Sequence, residues 1–185
     1  MIRVMCSTAD IVDETHSVLR SLRGVWDEEA VDELDHALQA GERARVDGAD
    51  DELVLASALH DIGHSPIVAD SGHIDADRHD RAAYDWLVAR FTPRVAWLAG
   101  AHVVAKRWLV ATDLDYATSL SATSVHSLAR QGGAGGVDDS WTRHPWWPDA
   151  VRLRTYDDAA KTPGAAAMTI DEVVTVAARV SDAGR

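Results

Sequence analysis

A chain of 185 residues, 46% of them apolar and few of them glycine or proline, has the length of one domain and enough apolar side chains for a real core. Its net charge of −12 argues against nucleic acid or an anionic membrane as the main partner, and no run reaches the ~20 apolar residues of a membrane span. The start, Met-Ile-Arg-Val-Met-Cys-Ser, turns polar too early for a signal peptide, and the single cysteine, Cys6, has no internal disulfide partner, so a reducing cytoplasm is expected.

Residues 8 to 23 read as a first helix, with Ile11, Val18, Leu19 and Leu22 on one side and Gly24 ending it. His16 lies on it with no partner in view and reads as a surface residue. Residues 27 to 46 follow as a second helix. Leu34, Ala37, Leu38, Gly41 and Arg45 share its inward face, whose small residues predict close packing, and His36 lies near the edge of that stripe. Behind the cap and first-turn acids Asp50-Asp51-Glu52 comes Leu-Val-Leu-Ala-Ser-Ala-Leu-His-Asp-Ile-Gly-His, residues 53 to 64. This segment is apolar on nearly every side, so it should be buried. It ends in His60 and Asp61, with Gly63 as a stop signal before His64. Burying such groups without partners costs roughly 2–7 kcal/mol for a neutral polar group. A metal ion would compensate; the plainer reading is a hydrogen-bonded His-Asp pair in a core.

A loop from Ser65 to Asp77 holds His73 beside Gly72, where it should face water. His79 opens the next helix, in which Ala82, Ala83, Trp86 and Leu87 recur at helical spacing, so His79 should point inward. Pro93 starts a long helix to about Ala111 that contains His102 and, one turn on, Lys106. A buried lysine there needs an anion, unless it snorkels to the surface. Residues 113 to 120 read as a loop or short helix, and Ser121 caps a helix to Gln131 that carries Ser124 and His126. Gly132 to Gly136 should be the most flexible stretch; with no strand before it, it is not a phosphate loop. Trp141 to Trp147 should pack irregularly over the bundle. Residues 149 to 161 return to helix, with Arg154, Asp157 and Lys161 on one face; Asp158 fits nearly as well, so spacing does not choose between the two acids. A last helix spans about 170 to 182. With no strand alternation in view, the predicted class is all-α.

The inward polar groups are then His36, His60, Asp61, His79, His102 and a late aspartate, spread over five helices. That is more than one tetrahedral ion requires and suits a dinuclear site in which a central carboxylate bridges ions roughly 3.5–4 Å apart. Nitrogen and oxygen donors without thiolate suit iron or manganese as well as zinc.

The order His, His-Asp, late Asp resembles the HD-domain superfamily, and the extra His79 and His102 resemble its mixed-valent di-iron oxygenases, the myo-inositol oxygenase-like subgroup. The chain is most similar to the organophosphonate-cleaving oxygenases of that subgroup, typified by 2-amino-1-hydroxyethylphosphonate dioxygenase. His36-Ala-Leu-Gln, Leu59 to His64, His102 to Leu109, Ser124 to Gly133 and Val151 to Lys161 carry the resemblance, which covers about residues 26 to 164. It implies a single HD helical bundle over residues 1–185. It further implies two iron ions, Fe(II)/Fe(III), with O2 as co-substrate: one iron on His36, His60 and Asp157, the other on His79 and His102, Asp61 bridging. His64, Lys106, Ser124 and Arg154 match residues that hold a small phosphonate, and Lys161 sits close to them. The implied activity is oxidative cleavage of a 1-hydroxyphosphonate to a carboxylic acid and phosphate, with Asp61, Glu29 and Lys106 as the catalytic residues. The family's gating tyrosine, three residues before a glutamate, is replaced by Trp26 while Glu29 is retained. An indole cannot ligate iron, which points to a different group on the carbon side of the substrate. The alternative is an HD phosphohydrolase using the same six ligands on a phosphate ester or nucleotide; a non-catalytic sensing module is the third reading. No oligomeric state follows from the sequence.

Overall fold

The computed structural model describes residues 7–27, 30–69 and 78–183. Cys6, Glu29 and His73 lie outside the described residues, so the expectations placed on them are not addressed by the fold. Among the described residues the secondary structure is helical throughout, with no strand.

Helix α1 (Thr8–Ser21) starts in a capping box in which Ser7 and Asp10 satisfy one another's backbone N–H groups. Helix α2 (Glu33–Val46) is shorter than its periodicity suggests. Asp32, only 4% exposed, takes over as N-cap: its carboxylate accepts from Asp35 N at 3.0 Å and Gly24 N at 2.8 Å and pairs with Arg23. A carboxylate tied to a preceding turn sets the helix start there, six residues later than expected.

Helix α3 (Asp51–Leu59) is the buried centre. Leu53, Leu55 and Leu59 have no exposed surface, each contributing roughly 1.5–3 kcal/mol by burial. Helices α2, α6 (Pro93–Thr112), α10 (Trp147–Ala159) and α11 (Ile170–Ala183) all pack on it, and α1 packs on α11. The close α2–α3 approach expected from small residues is present: a Cβ on Gly41 would lie 3.0 Å from Ala58 Cβ and 3.1 Å from Met168 Sδ.

Instead of continuing to Gly63, α3 ends at Leu59. His60 is its C-cap, Asp61 turns away at φ −103° and ψ 15°, and Ile62–His64 form a 3₁₀ turn. Gly63 is therefore less a stop signal than a contact point: a Cβ there would sit 2.1 Å from the carbonyl oxygen of His79. That approach brings the turn against the first residue of α5 (His79–Val88), which pairs with α6.

Short helices α4 (Pro66–Ala69), α7 (Leu114–Ser119) and α9 (Asp139–Thr142) lie between the long ones, and α8 (Ala122–Arg130) is capped by Ser121 as expected. The glycine stretch is held more firmly than its composition suggests. Arg107 donates to the carbonyls of Gly133 and Gly135 at 3.0 and 2.9 Å, and Gly135 N returns a bond to Arg107 O. The tryptophan segment packs over α6, where Trp97 stacks on His144 at 4.1 Å and meets Trp141 at 5.5 Å. No helix of the described residues is long and apolar enough to cross a membrane.

Candidate metal centre

His36 comes from the second turn of α2, His60 from the end of α3, His79 from the first turn of α5, His102 from the middle of α6 and Asp157 from α10. Adjacent residues on a helix point about 100° apart, so His60 and Asp61 could not both face one point within an unbroken α3. The chain's exit from the helix at Asp61 brings the two together, with His60 Nε2 3.0 Å from Asp61 Oδ2.

Asp61 sits between two histidine pairs. Its Oδ2 lies 3.0 Å from His60 Nε2 and 3.4 Å from His36 Nε2; its Oδ1 lies 3.3 Å from His79 Nε2 and 3.2 Å from His102 Nε2. Within the pairs the Nε2 atoms are 3.3 Å apart for His36 and His60, and 3.1 Å for His79 and His102. Asp157 adds a second carboxylate on the first side, Oδ1 3.5 Å from His36 Nε2 and Oδ2 3.3 Å from His60 Nε2. Asp158 turns away from the cluster, toward Tyr116 and Arg154.

The hydrogen bonds on the far side of the rings decide what these atoms present to one another. The Nδ1 atoms of His36, His60 and His102 face the carbonyls of Ala160 (3.0 Å), Ser57 (2.8 Å) and Ala99 (2.5 Å). A carbonyl only accepts, so each Nδ1 carries the proton and, in the neutral ring, each Nε2 presents a lone pair. Lone pairs and carboxylate oxygens converging at 3.0–3.5 Å repel unless a cation lies among them. Metal–ligand bonds of about 2.1 Å put neighbouring donors about 3.0–3.4 Å apart, which is the spacing found. Asp61 Oδ1 is buried and, among the described residues, has no hydrogen-bond partner despite its two imidazole neighbours. The residues present thus fit a metal on each side of Asp61, two imidazoles with two carboxylates on one side and two imidazoles with the shared Asp61 on the other, a donor pattern suited to non-haem iron.

The electrostatics agree. Burial would raise the Asp61 carboxyl, but the facing His60 and His102 hold it well below the usual range. Burial also opposes Asp157, which Arg154 and His60 keep well below that range. Conversely His60, although buried, is raised well above an ordinary imidazole by Asp61 and Asp157. The cluster draws in positive charge, and a metal ion competes with protons for it.

A small, polar cavity opens on the cluster. Lys106, Ser124, Arg154 and Lys161 line it, and His64 joins them from the side of His79, on which its ring stacks at 4.4 Å. Lys106 is 3% exposed and does not snorkel; its Nζ donates to Ser127 Oγ at 2.7 Å and Gln131 Oε1 at 3.3 Å. Lys161 Nζ donates to Ser124 Oγ at 3.1 Å. Arg154 is buried, its charge shared between Asp157 and Asp158, and its Nε also donates to Tyr116 Oη at 3.0 Å. Burial and the neighbouring His79 lower His64, so it serves this cavity as a neutral ring rather than a charge. Trp26 is 63% exposed.

Sequence reasoning missed four lining residues, Asp27, Glu33, Ser127 and Gln131. Three have a positional signal: Ser127 and Gln131 follow Ser124 by three and seven residues, and Glu33 precedes His36 by three.

No family model matches the chain. It is 34% identical over 143 residues to hydroxymethylphosphonate dioxygenase of Gimesia maris, an alignment covering 74% of this chain and 71% of the relative. It is 31% identical to the glycine-betaine-forming [1-hydroxy-2-(trimethylamino)ethyl]phosphonate dioxygenase of Leisingera caerulea, covering 72% and 70%. An uncharacterised protein of Acanthamoeba polyphaga mimivirus is 30% identical, with 72% and 64% covered. At that identity and coverage, with a cluster fit for metal beside a lysine-lined cavity, the chain belongs to the phosphonate dioxygenases.

Proposed function

We propose that this enzyme, an O2-dependent oxidoreductase, is a single HD-type domain that holds two irons and cleaves the carbon–phosphorus bond of a small 1-hydroxyphosphonate. The products are a carboxylic acid and inorganic phosphate, and both atoms of O2 enter them. The observation that supports this most directly is the division of Asp61 between two histidine pairs, one oxygen to each, beside the buried Lys106. In this reading His36, His60 and Asp157 hold one iron, His79 and His102 the other, and Asp61 bridges them. The two named relatives are dioxygenases, so the hydrolytic alternative is not favoured.

The irons supply the redox chemistry when bound. The chain supplies the rest. Lys106 and Lys161 neutralise the phosphonate dianion, and Arg154 offers its remaining N–H groups as a directional donor. Ser124 completes that wall, and the neutral ring of His64 is available to a phosphonate oxygen. Carbonyl bonds to Nδ1 fix the ring planes of His36, His60 and His102, and burial of all four rings excludes bulk water. Glu29 belongs to the same reading as the gating acid, with Trp26 in the place of the family tyrosine. A cytoplasmic location is part of this proposal.

The test is to load the protein anaerobically with iron, then supply hydroxymethylphosphonate or a 2-substituted 1-hydroxyphosphonate in air. O2 uptake should match phosphate release one to one, with two irons per chain. Phosphate release from esters without O2, and no uptake with any hydroxyphosphonate, would overturn the reading.

A further inference from the structure

The cavity has two electrically different ends. The charges acting most strongly on Lys106 are those of Arg154, Asp157, Lys161 and Asp158. Those acting on Glu33 are His36, Asp61, His64 and Asp27, and Asp27 and Glu33 both line the cavity.

Glu33 is the odd group at the acidic end. It is 2% exposed, its Oε2 is fully buried, and among the described residues that oxygen has no hydrogen-bond partner. An unpartnered buried carboxyl costs the fold its full desolvation penalty. As the first residue of α2, one turn ahead of His36, it is held toward the cavity by the same helix face. Nothing in the fold requires an acid there, because the capping role is filled by Asp32.

We propose that Glu33 is the specificity-determining residue for the carbon side of the substrate: it accepts a hydrogen bond from an N–H or O–H donor on the carbon next to the one cleaved, and with Asp27 it rejects anionic or acceptor-only groups there. The proposal rests on the hydroxyphosphonate reading above and deepens it. With the phosphonate at the lysine end and the reacting carbon at the cluster, the next substituent reaches the acidic end. A donor there would satisfy Oε2. A carboxylate would face three acids, Asp27, Glu33 and Asp61, and an ether would leave Oε2 unpaired still.

The test is calorimetric binding under anaerobic conditions to the iron-loaded protein, which reads affinity without turnover. The probes are 1,2-dihydroxyethylphosphonate, its 2-methoxy counterpart and hydroxymethylphosphonate. The dihydroxy compound should bind about tenfold tighter than the methoxy one, the effect of one buried charged hydrogen bond. In Glu33→Leu that ratio should fall to about twofold or less, while the melting temperature of the unliganded protein holds or rises, because an unsatisfied acid has been removed. If Glu33→Leu fails to fold, Glu33→Gln reads the same ratio, which should still fall at least threefold. Wild type showing no preference, or a preference unchanged in the variant that folds, overturns the assignment. Failure of the wild type to bind any of the three would overturn the hydroxyphosphonate reading itself, and this proposal with it.

Discussion

At the scale of single residues, charge placement decides the behaviour of the site. Among the described residues Asp61 is the side chain that faces both histidine pairs. Replacing it by asparagine keeps the shape but removes the shared negative charge, so Asp61→Asn should retain less than one metal per chain and no activity; metal analysis of the purified variant checks this. Lys106 makes a different kind of prediction. Burial, reinforced by the nearby Arg154, pushes its ammonium down to about 8. Below that value it carries the charge that a phosphonate needs, and above it the charge is lost. The free enzyme should therefore lose phosphonate affinity as pH rises through about 8, seen as a falling limb in kcat/KM. In Lys106→Arg that limb should vanish, because guanidinium does not titrate there. A limb that persists unchanged would assign it to another group.

At the scale of elements, the chain's punctuation matters more than its apolar pattern. The helices themselves were legible from spacing: the apolar run of α3, the proline start of α6 and the serine cap of α8 all lie where the sequence puts them. So were the small residues that let α2 and α3 approach, because periodicity reports which face is buried. What spacing does not report is where a tertiary contact ends a helix. Asp32 cuts α2 short through Gly24 and Arg23, and that shift makes Glu33 the first residue of the helix. The choice between Asp157 and Asp158 was equally invisible, since both lie within one helical turn of Arg154 and only packing turns one inward. Gly63 is the sharpest case. A methyl group there meets the His79 backbone at 2.1 Å, and a carbonyl cannot yield as a flexible side chain does. Gly63→Ala should cost about 1–3 kcal/mol, as overpacking does. For a chain of this size that lowers Tm by roughly 2–12 °C. Because α5 carries His79, the variant should also lose the His79–His102 ion before the other. Wild-type metal content and Tm in Gly63→Ala would show that the turn can move away from α5 without consequence.

At the scale of the whole molecule, the proposed metals are cross-links between elements far apart in sequence, from α2 at His36 to α10 at Asp157. An ion held a thousandfold above its dissociation constant stabilises the folded chain by about 4 kcal/mol. That corresponds to roughly 8–16 °C in Tm for a chain of this length. The dependence on pH has a sign that separates this from ordinary salt effects. In the metal-free protein, burial opposes charge on His60, but Asp61 and Asp157 raise it well above an ordinary imidazole, and His36 is raised as well. A raised folded-state value gives stability that is fully present below the unfolded value and is lost as pH climbs through the folded one. The metal-free protein should therefore weaken as pH rises, with deprotonated rings and two buried carboxylates left facing each other. The metal-loaded protein moves the opposite way, since fewer protons compete for the same nitrogens. The gap in Tm between loaded and chelator-treated protein should widen from about pH 6 to about pH 8.5. Paired melts across that range read it directly, and a gap that stays constant or narrows would mean that the histidines and aspartates of this cluster do not exchange protons for metal.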